Sequence, residues 1–320
     1  MNQTPLNVGH LSTAYHTAVL LIGTRWVEEH LGRTVKWTLL PTGPDLVNAL
    51  ERRDLDIAYI GLTPAMIGIG RGVPIRCVAG GHIEGTVVVG KSQYCTLDEY
   101  GGDVSAALGQ FKGKAIGSPK RGSIHDIIVR YYLEEAGLQD EVEVKNFDSA
   151  EFIAEGMGEG VVDAACATPS ILSYLGFFRD SFDTKVVVPP SRLWPYNPSY
   201  GVFARNDLVE EQPHVVEDFL AMHKRATEFM RDKPAEAARI VADVMELVDE
   251  AYVIQAYKVS PKYCIALPRE YVDATLKFVE PIRRLGYLQR NLTAQDIFDL
   301  RFVQLLHPEP HHYLVQPVWS

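Results

Sequence analysis

Apolar residues in the first two-thirds of the chain come as short solid runs, separated by stretches where they recur every three or four positions. Ile57–Ile60 is such a run and predicts a buried strand, and the apolar-rich stretches Leu6–Gly9, Val35–Leu40 and Ile75–Ala79 predict further strands. Between them, Ala14, Ala18, Leu21, Ile22 and Trp26 share one face of a helix predicted over Thr13–Leu31. Further helices are predicted over Pro44–Arg53 and Pro64–Arg71. Strands separated by helices of this length imply parallel pairing with right-handed crossovers, hence an open α/β sheet.

After Gly80-Gly81 the alternation pauses at an extended β-branched run, Thr86–Val89, and then resumes. Lys114–Gly117, Glu141–Lys145, Val161–Ala167 and Lys185–Val188 predict strands, with helices over Ser123–Ala136, Ala150–Gly156 and Pro169–Leu175. The aromatic stretch Leu193–Pro198 predicts a loop, and Tyr200–Ala204 an extended segment. From Pro213 the pattern is helical almost throughout. Val215, Val216, Phe219, Ala226, Phe229 and Met230 lie on one face, and breaks are predicted near Pro234, Pro261, Pro268 and Gly286. The Pro- and His-rich stretch His307–Ser320 reads as a loosely held tail. Two α/β series of similar length within 320 residues favour two lobes over one sheet. They carry a weak internal echo: "LDIAYIGLTPAM" and "VDAACATPSIL" each place Asp at the strand's start and Thr-Pro at its end.

Those Thr-Pro endings predict helix caps. A helix leaves its first N–H groups without intrahelical partners, Ser or Thr supplies a capping oxygen, and Pro suits the first helical position. Thr63-Pro64 and Thr168-Pro169 fit this description, as do Gly43-Pro44 and Gly122-Ser123 with glycine or serine in the capping role. In a parallel sheet all such turns open on the carboxyl edge, where ligands bind. Ser12-Thr13, Thr42-Gly43, Leu62-Thr63, Arg121-Gly122-Ser123 and Thr168 therefore form the candidate cradle, with a small anion as its natural guest. Lys120-Arg121-Gly122-Ser123 adds two cations, but GxxxxGK[ST] is absent and nucleotide hydrolysis is not expected.

Composition narrows the choices. A content of 47% hydrophobic and 22% charged residues is that of an ordinary globular protein, and no apolar run nears the roughly 20 residues of a bilayer span. No secretory leader is visible in MNQTPLNVGHL, so the expectation is a cytoplasmic protein or one numbered after leader removal. A net charge of -10 argues against non-specific nucleic-acid binding. Cys77, Cys95, Cys166 and Cys264 show no metal spacing, and Cys77 and Cys166 sit in strand-like runs as expected buried thiols. His10, His16, His82 and His125 could all face a cleft, yet their spacing predicts no metal site, and His311-His312 reads as solvated tail. GxSxG is absent, and no cysteine stands beside an evident base. Neither catalytic residues, cofactor nor metal is expected.

The segments "LPTGPDLVNALERRDLDIAYIGLTPAMIGIGRGVPIRCVAGG", "FKGKAIGSPKRGSIHDIIVRYYLEEAGL" and "GVVDAACATPSILSYL", in this order, resemble the nitrate/sulfonate/taurine-type solute-binding proteins of ABC transporters. The resemblance runs from about Leu6 to Leu305. It implies a type II periplasmic-binding fold, two α/β lobes with a hinge and a cleft that closes on a ligand. Lobe one would be Met1–Gly85 plus Tyr200–Ser320, lobe two Thr86–Ser199, with the hinge near 82–88 and 196–204. Carried over to this chain, the family's ligand contacts fall at His10, Leu11, Ser12, Thr42, Gly43, Leu62, Thr63, Ser118, Gly122 and Ser123, with Arg121, His125, Thr168, Tyr196 and Tyr200 added around them. At Ala167-Thr168-Pro169 the chain departs from the Trp-Asp-Pro-like motif of sulfonate binders. The function implied is capture of a small anionic or zwitterionic solute by a monomer that hands it transiently to a permease. Such a protein would be periplasmic or extracellular, touching the membrane only through the permease or a removed lipid anchor. The same architecture also houses cleft enzymes acting on small organic acids, desulfinase-like or pyrimidine-forming, and that is the alternative; the cysteine-rich loop of the latter is missing here.

Overall fold

Ten strands build two five-stranded sheets in the computed structural model, which describes residues 4–176, 183–260, 262–317 and 319. In chain order they are β1 Leu6–His10, β2 Val35–Leu39, β3 Ile57–Ile60, β4 Ile75–Ile83, β5 Val87–Lys91, β6 Ala115–Pro119, β7 Glu143–Phe147, β8 Ala164–Ala167, β9 Thr184–Val188 and β10 Pro198–Arg205. One unit holds Met1–Ile83, Pro198–Tyr257 and Pro261–Ser320, with the sheet ordered β2-β1-β3-β10-β4. The other holds Glu84–Asn197 and Lys258–Ser260, ordered β7-β6-β8-β5-β9.

The sheets are mixed, which corrects the expectation of parallel pairing throughout. β1 runs parallel to β2 and β3, and β6 to β7 and β8, but β10 and β5 are antiparallel to their neighbours. The crossover helix is what enforces parallel pairing. β5 and β10 are the strands by which the chain enters each unit from the other, with no crossover helix, and both reverse.

The internal echo is genuine at its first half. Asp56 and Asp163 each begin the third strand of their series, and their N–H groups donate to Asn7 O and Ala115 O, both at 2.8 Å. In matching register, Gly9 pairs with Ala58 and Gly117 with Ala165. A β-carbon on Gly9 would meet Leu46 at 2.6 Å, and one on Gly117 would meet Ile153 at 2.7 Å. Both glycines thus let a helix settle onto the sheet. The Thr-Pro endings are not equivalent, because Thr63 follows its Asp by seven residues and Thr168 by five.

Helix boundaries shift for local reasons. The predicted helix Thr13–Leu31 is two, Thr17–Thr24 and Trp26–Leu31, parted at Arg25 with φ 55°. Pro64 lies inside a helix that already starts at Leu62, and the helix expected from Pro169 starts at Ile171. Pro234 opens the helix Pro234–Met245, Pro268 precedes Arg269–Lys277, and Gly286 takes φ 79° after Val279–Arg284. Pro261 lies outside the described residues.

Gly80-Gly81 does not end its strand. β4 continues to Ile83, and the glycines leave room for two tyrosines: a β-carbon at 81 would collide with the Tyr200 ring, and one at 80 with the Tyr313 hydroxyl. Tyr313 is fully buried and donates to Ala266 O at 2.8 Å, so the stretch expected to be loose is anchored at this residue. Beneath β4 lies a buried chain of polar groups. His223 Nε2 meets Gly80 O at 2.7 Å; a carbonyl only accepts, so this nitrogen carries the proton. His223 Nδ1 then accepts from Thr17 Oγ1 at 3.0 Å, which in turn accepts from Tyr200 Oη at 3.1 Å. Tyr200 Oη completes the circuit by accepting the Thr17 N–H at 3.2 Å.

Two outcomes follow from this packing. Gly81→Ala should lower stability by about 1–3 kcal/mol, because an aromatic ring has no room to yield, measurable by chemical denaturation. Burial lowers the His223 pKa to about 4, against the pull of the Gly80 carbonyl. The folded chain therefore binds fewer protons than the unfolded chain between about pH 6.5 and pH 4, and stability present above that window is lost as pH falls through it. His223→Gln should flatten part of that decline in melting temperature; an unaltered slope refutes the assignment.

Candidate functional site

In the first unit, parallel pairing brings the carboxyl ends of β1, β2 and β3 to one sheet edge, and Leu40 N donates to His10 O at 3.0 Å there. Thr42 caps the helix Gly43–Glu51, accepting from Asp45 N at 3.3 Å, and its hydroxyl donates to the Asp45 carboxylate. The one proton of that hydroxyl is therefore spent. Gly43 is required by a close approach, since a β-carbon would stand 2.6 Å from Pro64 Cγ, and this couples the second and third strand ends. Thr63 and Leu62 are fully buried within the first turn of Leu62–Arg71, whose cap is Gly61. Ser12 is exposed and Leu11 half-buried, and no helix starts at Thr13. Burial draws the His10 pKa down, against a bond between its Nδ1 and Leu11 O at 3.1 Å.

Tyr200 does not face solvent. It is fully buried, its ring lies 4.1 Å from that of His16, and its hydroxyl serves Thr17, the first residue of the helix Thr17–Thr24. The hydroxyl thus caps a helix, a role that the aromatic character of the residue does not announce in the sequence. His16 and His82 are likewise buried.

In the second unit, β6 and β8 end side by side. Gly117 faces Ile153, so the next residue, Ser118, faces the opposite layer. Ser118 is fully buried, and its Oγ has no hydrogen-bond partner among the described residues; nor has the buried Oγ1 of Thr168, just past β8. Thr86, which the sequence reading did not single out, is fully buried just before β5 and bonds His125 Nδ1 at 2.9 Å. Burial takes the His125 pKa to about 4, keeping the ring neutral. Asn197 is a second omission: its NH2 is spent on Leu193 O and Trp194 O, leaving a buried Oδ1 with no partner among the described residues. No sequence motif signals either residue.

Ser123 caps the helix Ile124–Glu135 by accepting from Asp126 N at 3.3 Å, so its own O–H remains available to donate. Asp126, fully buried, takes the Gly122 N–H at 3.0 Å and pairs with Arg130 at 2.8 Å. A carboxylate thus already compensates this helix start, as Asp45 does for Gly43–Glu51, which weakens both as anion cradles. Lys120 is exposed and 3.7 Å from Asp148, and Arg121 is exposed. Thr168 caps nothing. Tyr196 is half-buried with φ 61°, its N–H donating to Glu84 Oε1 at 3.0 Å.

A family model described as the NMT1-like family matches residues 1–246. The chain belongs to the NMT1-like family. A Brucella abortus relative provisionally named a binding protein is 27% identical over 253 residues, 77% of this chain and 73% of the relative. Among solved structures, the alkanesulfonate-binding protein SsuA of Xanthomonas axonopodis pv. citri bound to MOPS superposes with TM-score 0.75 at 18% identity, covering 93% of this chain and 99% of that one. The periplasmic aliphatic sulphonate-binding protein SsuA of Escherichia coli gives 0.78 at 15%, covering 93% and 92%. The periplasmic nitrate-binding protein NrtA of Synechocystis PCC 6803 gives 0.73 at 14%, covering 96% and 90%. At these identities the likeness shows the fold, the α/β architecture of periplasmic binding proteins.

Two thiols of this NMT1-like chain bear on the enzymatic alternative. Burial pushes Cys77 and Cys166 far above the usual thiol range, the latter also under the Asp126 charge, so neither offers a thiolate nucleophile. The capping geometry yields a paired expectation. Thr42→Ala and Ser123→Ala should each cost about 1 kcal/mol of stability in thermal unfolding. Only Ser123→Ala should also weaken a ligand, because only its hydroxyl hydrogen is uncommitted.

Proposed function

We propose that this protein is the solute-binding component of an ABC importer, capturing a small anionic or zwitterionic solute outside the cytoplasm and passing it transiently to a permease. Membership of the NMT1-like family supports this reading, as do relatives named for binding sulfonates and nitrate. Among the described residues no helix is long and apolar enough to cross a membrane, so the reading assigns membrane contact to the permease.

The observation that supports it most is the pair of buried hydroxyls without partners among the described residues, Ser118 Oγ and Thr168 Oγ1, at neighbouring strand ends. A buried polar atom left unpaired costs about 1–3 kcal/mol, and a ligand that accepts from it recovers that cost. With Thr86, neutral His125 and Ser123 nearby in the chain's topology, the unit offers hydroxyl donors of no fixed charge. Acceptor-rich groups such as sulfonate, nitrate or carboxylate suit such donors.

Calorimetry against sulfonates, nitrate, carboxylates and pyrimidines tests the reading. One class should bind at micromolar or tighter affinity, about -8 kcal/mol, without turnover. Ser118→Ala should weaken that ligand by about tenfold or more while leaving the melting temperature equal or higher, since it deletes an unpaired polar group. An unchanged binding constant removes Ser118 from the site. Chemical conversion of the ligand would instead promote the enzymatic alternative.

A further inference from the structure

We propose that Cys264, His307 and His312 bind a single borderline-soft divalent metal ion, with zinc as the natural occupant, at a site separate from the strand-end hydroxyls. Folding gathers residues that are 43 and 48 positions apart. Cys264 Sγ lies 3.3 Å from His307 Nε2 and 4.0 Å from His312 Nδ1, and the two ring nitrogens are 3.0 Å apart. A tetrahedral zinc with Zn–S of about 2.3 Å and Zn–N of about 2.0–2.1 Å holds sulfur and nitrogen about 3.6 Å apart and two nitrogens about 3.3 Å apart. The triangle already matches these separations to within a few tenths of an ångström.

The surroundings aim lone pairs at its centre. His307 Nδ1 lies 3.1 Å from Glu309 O; a carbonyl only accepts, so Nδ1 carries the proton and Nε2 presents its lone pair. A ligating histidine is ordinarily fixed by just such a bond from its other nitrogen. Two backbone N–H groups, Ala266 at 3.5 Å and His312 at 3.4 Å, point at Cys264 Sγ, which suits a thiolate ligand. Simple hydrogen bonding accounts poorly for the cluster, because His307 Nε2, with one lone pair and no proton, stands between Cys264 Sγ and His312 Nδ1 and accepts from only one of them. A fourth position is left to water, since Glu309 Oε1, 3.6 Å from His307 Nε2, is already held by Lys224 at 2.8 Å. Cys264 and His307 are buried, His312 is half-buried, and a depression of about 260 Å³ lined by Leu267, Val303, Glu309 and His311 reaches His307. The ion would tie the segment paired with β4, where Cys264 N donates to Gly81 O at 3.2 Å, to the chain that follows the helix Arg301–Leu306.

The test uses tag-free, reduced, chelator-stripped full chain titrated with Co²⁺, then Zn²⁺. The expected result is one cobalt per chain, visible bands of a tetrahedral site, a near-ultraviolet thiolate-to-cobalt band, and displacement of both by zinc. Cys264→Ser should abolish the thiolate band, and His312→Ala should weaken affinity about a hundredfold or more, as losing a ligand exceeds losing its outer support. His312 is half-exposed, so that variant decides the matter should Cys264→Ser misfold; far-ultraviolet circular dichroism verifies its fold. Absence of binding by the folded wild-type chain, or bands and affinity unchanged in His312→Ala, overturns the proposal.

Discussion

Parallel pairing of three strands in each sheet is the constraint from which the candidate site descends. Each crossover helix must leave its strand at the same edge, so the turns after β1, β2 and β3 collect at one sheet edge, and those after β6, β7 and β8 at the other's. The glycines facing Leu46 and Ile153 let the helices lie close enough for that edge to be compact. Aspartates at the opposite ends of β3 and β8 fix where those strands begin, through bonds to the neighbouring strand. Site residues remote in sequence become neighbours because backbone pairing leaves them no alternative.

What each unit's edge can recognise is decided by bonds its own helices make to themselves. Asp45 and Asp126 occupy the first turns of their helices and offset the positive dipole end there, whereas Leu62–Arg71 has no acidic residue in its first turn. The sequence showed these aspartates, yet the five openings were ranked by nearby cations and not by the acids inside their own first turns. Whether a dipole is answered internally depends on side-chain direction, which spacing does not encode. The same limit explains Thr42, whose hydroxyl is consumed, and Ser123, whose hydrogen is not.

Fold class and most strand positions were legible because short apolar runs with intervening periodic stretches leave few packings. The Ile57–Ile60 strand matches residue for residue. Legibility failed where long-range contacts override local rules. Gly80-Gly81 reads locally as a break, but the cause of the glycines is two aromatic rings arriving from residues 200 and 313. Thr63-Pro64 reads as a cap, but burial of Leu62 and Thr63 pulls the helix start back to Gly61. Tyr200 looked like a ligand contact because it is aromatic beside a loop, and no local signal reports that its hydroxyl closes a circuit through Thr17 to His223. Likewise the cysteine–histidine cluster had no recognisable spacing, since its members come from separate segments.

Tyr313 fills a slot that glycine leaves open in a strand more than two hundred residues upstream. The unit containing Glu84–Asn197 draws nearly all its residues from one continuous stretch, whereas the other unit is assembled from three. During synthesis the interrupted unit must therefore wait with β4 unfinished while the inserted unit emerges and can condense first. The late tyrosine works as a latch: the sheet's last strand, β10, ends at Arg205, and the space beside Gly80 is filled only once the chain has reached residue 313.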